Sequence, residues 1–159
     1  MPIVGTPTTP TVVSKDQVRM FMRDYANNNI LLDEVQFTDR ELNLALEMAA
    51  SAFNTVTPQT NFTASSFPLQ LRYLLLVGTV RFLLMSESFM QVRNQATVQD
   101  GDIAPIGISD KALLYSQLAQ QLKGEWDELS RGVKTQNNME GAYATLGSGY
   151  RNTSRFNHS

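Results

Sequence analysis

Three aspartates crowd one short stretch, "QATVQDGDIAPIGISDK" from Gln95 to Lys111, and two of them, Asp100 and Asp102, flank Gly101. Carboxylates this close could hold a cation or share a proton. A calcium loop needs acidic or amide ligands at alternate positions and a glutamate at the twelfth. Counted from Asp100, that position is Lys111, a cation. Calcium is therefore excluded on spacing and on charge. The only histidine is His158, where no scaffold orients it, and cysteine is absent, so no histidine-activated nucleophile or thiolate zinc site can be assembled. "GSG" at Gly147–Gly149 follows no strand and opens no helix, unlike a nucleophile elbow. Glu34, Glu41, Glu47 and Glu87 fall in or beside helices, where capping and solvated roles are the rule. No catalytic residue, metal ligand or cofactor site is expected.

Turn chemistry accounts better for the aspartates. "ATVQ" and "DIAPI" flank Asp100–Gly101, a pair suited to a two-residue type I′ turn because glycine adopts positive φ at little cost. Val98 and Ile103 alternate with polar neighbours, and Pro105 confines the second strand to an edge. The expectation is a β-hairpin over about residues 95–108, with Val98, Asp100, Gly101 and Ile103 as its contact residues. A two-stranded ribbon is marginal in water, so it must lean on the helices or on another subunit.

Four helical patterns surround this stretch. Ser14 and Gln17 have capping-box spacing, and Val18, Phe21, Met22 and Tyr25 form an apolar face that "ANNN" ends. Thr38 and Glu41 make a second box before Leu42, Ala45, Leu46, Ala49 and Phe53, predicting a helix from Asp39 to about Ala52. "NTVTPQTNFTASSF" is long for a connection inside a domain and reads as a segment that reaches a partner. From Pro68 to about Gln91 the chain is apolar on nearly every side, so that helix must be buried all round, by other helices or by copies of itself. The last stripe, Tyr115, Leu118, Ala119, Leu122, Trp126, Leu129 and Val133, follows Ser109 as its cap.

The ends differ in composition. Residues 1–13 carry no charge and three prolines, which favours an extended arm. Residues 135–159 hold three glycines without an evident helical period, yet carry Tyr143, Leu146, Tyr150, Arg151 and Phe156. Aromatic and arginine anchors of this kind suit a tail that folds onto a partner. A net charge of −2 offers no electrostatic basis for gripping nucleic acid or an anionic membrane. No secretory signal is expected. Arg72 and Arg81 interrupt the apolar run Pro68–Met85, which argues against a membrane span.

Beyond the long apolar helix come Arg93–Asn94 and the Asp100–Gly101 tip; then Lys111, Tyr115, Ala119, Leu122 and Glu125 on one helix; then Lys134, Asn137 or Asn138, Tyr143 and Tyr150 toward a glycine-rich tail. Over roughly residues 38–150 this organisation resembles the head-to-tail connector, or adaptor, proteins in the neck of tailed bacteriophages. "EGAYATLGSGY" departs from the family in its glycine placement. The resemblance implies a structural, non-enzymatic virion protein, assembled in the host cytoplasm into a homo-oligomeric ring, typically a dodecamer, between capsid and tail. It implies a C-terminal tail docked on the portal protein, contacts with further neck or tail proteins, and DNA as passive cargo. A stopper or tail-side completion protein is the neighbouring alternative; a small helical DNA-binding or regulatory module would need a basic face that these helices lack.

The expected fold is mainly α: a four-helix bundle-like domain with a β-hairpin insertion and extended N- and C-terminal arms. Its divisions are an arm over 1–13, a helical connector domain over 14–134 and a docking tail over 135–159. Tyr143, Leu146, Tyr150, Arg151 and Phe156 are the expected portal or neighbour contacts.

Overall fold

The computed structural model describes residues 11–29, 34–98 and 108–153, with side chains over 11–29, 34–94 and 111–142. Within them lie four α-helices: α1 (Lys15–Met22), α2 (Asp39–Thr55), α3 (Arg72–Val98) and α4 (Ile108–Thr153). Two single 3₁₀ turns, Ala26–Asn28 and Leu69–Leu71, complete the order. The fold is mainly helical, and no strand occurs among the described residues.

Local chemistry sets the helix starts. Ser14 and Gln17 form a reciprocal capping box on α1, and Thr38 and Glu41 form another on α2. Each satisfies two backbone donors that the first turn leaves orphaned. At the other end of α1, Arg23 adopts the left-handed conformation (φ 57°) and its N–H returns to Arg19 and Met20. The helix therefore closes at Met22, ahead of the asparagines. Tyr25 lies beyond it, and Phe21 and Tyr25 are exposed while Val18 is buried.

Asp24 organises the segment between α1 and α2. Its buried carboxylate accepts from the backbone N–H of Gln36 (2.6 Å) and Phe37 (3.1 Å), from Asn29 Nδ2 (2.9 Å) and from Arg19 (3.0 Å). Those bonds fold the chain back so that α2 starts beside α1. Asp39, in the first turn of α2, then takes Lys15 and Arg19 at 2.9 Å each.

Helix α3 is the centre of the molecule, packed chiefly on α4 and next on α2. Tyr73 Oη donates to Glu125 Oε1 (2.7 Å) and Ser88 Oγ to the Ala112 carbonyl (3.2 Å). An early residue of α3 thus meets a late one of α4 and the reverse, so the two run antiparallel. Leu74, Leu75, Val77, Val80, Leu83 and Leu84 are buried against α2, Ala119 and Trp126. The stretch Leu69–Asn94 is long and apolar enough to cross a membrane, with a window of mean hydropathy 1.4, despite Arg72, Arg81 and Arg93. More than half of that window (56%) is covered by the fold itself, as in a core helix.

Three expectations are corrected. The first strand of the hairpin is absent: α3 runs unbroken through Val98, because an established helix propagates cheaply across "QATV". Asp100, Gly101 and Ile103 lie outside the described residues. The C-terminal segment is not an extended arm as far as Thr153, since α4 continues across it from Ile108, one residue before the expected cap Ser109. Met139, Tyr143, Leu146 and Tyr150 are in fact spaced four, three and four apart, a helical period. Gly141, Gly147 and Gly149, at about 1 kcal/mol each, do not stop the 46-residue helix that carries them.

The long connection after α2 does not reach outward either. Asn54 accepts from Phe62 N (3.0 Å) and Thr60 Oγ1 (2.9 Å) and donates to the Phe62 carbonyl (2.7 Å). Phe53, Phe62 and Phe67 cluster with centroids 5.3–6.4 Å apart, which binds the loop to the core. Val13, grouped by composition with the N-terminal arm, is fully buried, and Val12 N donates to the Ala64 carbonyl.

Candidate functional site

The acidic candidates are mostly committed to structure. Glu41 closes the α2 cap, accepting from Thr38 N (2.7 Å) and Thr38 Oγ1 (2.8 Å). Glu47 accepts from Ala64 N (3.3 Å), and Glu34 is exposed, its carbonyl taken by Asn29. Glu87 alone is buried, with Gln91 Nε2 donating to it at 2.6 Å. No group of three potential metal ligands occurs among the described residues. His158 and Phe156 lie outside them. Tyr143, Leu146, Tyr150 and Arg151 all fall on α4, which aligns positions 143, 146 and 150 along one side of a helix. The structure does not bring them together with Val98, which ends α3.

The packed α3–α4 contact carries a second unusual feature. Arg81 is buried, with its guanidinium carbon 4.5 Å from the Phe82 ring centroid and 4.8 Å from that of Trp126. Its Nε and the Trp126 Nε1 are both buried without a hydrogen-bond partner. Burial pushes the Arg81 guanidinium down from its ordinary value, partly offset by the nearby Asp127 carboxylate. The two aromatic faces replace part of its lost hydration. Gly78 makes this approach possible, since a Cβ there would stand 2.7 Å from Trp126 Nε1.

What the surface offers is apolar. Between α2 and α3 runs an open groove of about 390 Å³ lined by Phe37, Leu44, Met48, Phe82, Met85 and Phe89. Phe89 is 69% exposed, Leu44 55% and Met48 53%, so three large side chains meet solvent side by side. Leu44 and Met48 are four apart on α2, and Met85 and Phe89 four apart on α3, so each helix contributes one ridge. On α4, Leu114 and Leu118 repeat the spacing and are also exposed. Scattered surface leucines are ordinary, whereas a contiguous patch marks an interaction site.

Family models, curated proteins and solved structures give no match to this chain. The groove is the feature of the surface that the fold alone leaves unexplained.

Sequence reading missed it because the helical pattern of α2 singles out its core face, and Leu44 and Met48 sit off that face among polar residues. The available signal was the pair itself, two large apolar residues four apart on the side of α2 that the pattern leaves to solvent.

Proposed function

We propose that the chain is a structural subunit of a tailed-phage neck: a head-to-tail connector (adaptor) ring that joins the portal to the tail and lets DNA pass. The single observation that carries the assembly part of this reading is the exposed Leu44–Met48–Phe89 groove, an apolar surface suited to burial by another chain. The phage assignment rests on the residue organisation over roughly 38–150, from Arg93–Asn94 through the Lys111–Glu125 pattern to Tyr150. In this reading the protein is not an enzyme and needs no cofactor. Its partners are copies of itself in a ring, the portal protein and adjoining neck or tail proteins, and its place is the virion after assembly in the host cytoplasm. The C-terminal portion of α4, with Tyr143, Leu146, Tyr150 and Arg151, is the portal-facing element, joined by Phe156. Weak net charge suits a conduit that must not hold the DNA moving through it.

The test is mass in solution with and without the portal protein of the same phage. Ring-sized assemblies and portal co-migration are expected, the latter lost on deleting residues 135–159. A chain that stays monomeric and ignores the portal removes the proposal, and tight duplex-DNA binding at physiological salt removes the passive-conduit part of it.

A further inference from the structure

Two apolar features of the surface point in different directions. The groove between α2 and α3 opens beside Leu44, Met48, Met85 and Phe89. On α4, Leu114 and Leu118 form a convex ridge, 57% and 48% exposed. Lys134 marks the side of α4 turned to the loop after α2, since its Nζ donates to the Pro58 carbonyl. At about 100° per residue, Leu118 and Leu114 stand roughly 160° and 200° around α4 from Lys134. The ridge therefore faces away from α2, and one chain cannot close its own ridge into its own groove.

Groove and ridge also match in spacing and charge. Glu41, Leu44 and Met48 on α2 are three and four apart, and so are Lys111, Leu114 and Leu118 on α4. In both, a charge stands one turn ahead of two large apolar side chains, negative at the groove and positive at the ridge. Both charges are exposed, and neither makes an ion pair among the described residues. Glu41 Oε2 serves Thr38, which leaves the other carboxylate oxygen for a cation. With α4 laid parallel to α2, Leu114 comes beside Leu44, Leu118 beside Met48 and Lys111 beside Glu41. The antiparallel arrangement would bring Lys111 to the neutral Ser51 instead, so charge sets the direction. Groove against groove would leave two facing hollows, whereas a ridge fills one.

We infer that the Leu114–Leu118 ridge of one copy fills the α2–α3 groove of the next, with Lys111 of the first against Glu41 of the second. The contact is head-to-tail: every copy offers one face of each kind, so it propagates and closes as a ring. This rests on the assembly part of the proposed function and names the two faces that part uses; the phage assignment does not enter it.

The test is sedimentation of the full chain, of Phe89→Ser, which disables the groove, and of Leu118→Glu, which disables the ridge. The parent is expected to assemble, and each variant to sediment as a monomer that melts close to the parent. Mixed in equal amounts, the two variants retain one intact ridge and one intact groove between them, so they should form a dimer that grows no further. Lys111→Glu should weaken assembly about tenfold or more. Leu114→Glu replaces Leu118→Glu as the ridge variant if the latter melts lower. The inference is overturned by a parent that is monomeric at every concentration, by a ridge variant that keeps the parent's mass, or by a mixture that stays monomeric. Full assembly of Lys111→Glu overturns the parallel register. Rings that use these faces but ignore the portal keep the inference and remove the phage reading. Rings that bind the portal through other faces do the reverse.

Discussion

Lys134 is tied to Pro58 across the fold: its Nζ donates to the Pro58 carbonyl at 2.7 Å and to Thr60 Oγ1 at 2.8 Å. The same ammonium stands 4.2 Å from the Phe53 ring centroid and is 1% exposed. Burial pushes it below its ordinary value, so it is held by hydrogen bonds and a ring face rather than by a carboxylate. The sequence reading ends the helical domain at Lys134, just ahead of the expected docking tail; in the structure this lysine is the bolt between α4 and the loop after α2.

Lys134→Met keeps most of the stem and removes the donor, leaving the Pro58 carbonyl unanswered. A loss of about 1–3 kcal/mol in urea unfolding is expected. Amide exchange across residues 57–66 should accelerate before that of α3. Unchanged exchange there would show that the phenylalanine cluster alone holds the loop.

Gly78 and Gly124 make a matched pair. An alanine Cβ at 78 meets the indole of Trp126 and lies 3.1 Å from Ala49 Cβ, whereas at 124 it meets open space. Gly78→Ala is therefore expected to destabilise by about 1–3 kcal/mol through overpacking. Gly124→Ala should stabilise by about 0.5–1 kcal/mol through helix propensity. Trp126 is the only tryptophan, so its fluorescence reports both transitions and should shift only for the first.

Asp39 supplies an acid-sensitive joint between α1 and α2. Hydrogen bonds from Lys15 and then Arg19 hold its carboxyl below the usual value of 3.8. A carboxylate depressed in the folded state contributes stability that is present above 3.8 and is lost as pH falls through its lower folded value. The α1 amides should thus lose protection below about pH 3.8, ahead of α3, and Asp39→Asn should remove that pH dependence. An unchanged acid profile in the variant would place the joint elsewhere.

The groove predicts an effect on association without one on folding. Met48→Glu or Phe89→Ser changes a side chain more than half exposed, so melting should move little. Oligomer mass should fall, because a charge or a lost ring at the centre of an apolar contact removes its main contribution. Retention of full mass in both variants would locate the self-contact on another face, with Leu114 and Leu118 of α4 next to be tested.

The elements that could be read from sequence are those governed by local rules. Ser14–Gln17 and Thr38–Glu41 announce their helices because a cap is a contact over three residues, and the Leu42–Phe53 stripe and, apart from the exposed Leu118, the Tyr115–Val133 stripe announce core faces because periodicity is local too. Asp100–Gly101 shows where the same reasoning overreaches: turn-forming residues were visible, but the strand before them was already part of α3. Likewise the glycines of the C-terminal segment hid a helical spacing that α4 simply extends.

Sequence by itself determined a helical chain with two capping boxes and an over-apolar central helix. Only the tertiary structure decided that Lys134 turns inward to Pro58, that Asp24 gathers two backbone N–H groups, that Gly78 admits Trp126, and that Leu44, Met48 and Phe89 share one open groove. The reason is sequence distance. Each of these relationships joins residues more than ten positions apart, so no local spacing encodes them, and all but that of Asp24 need α2, α3 and α4 packed together.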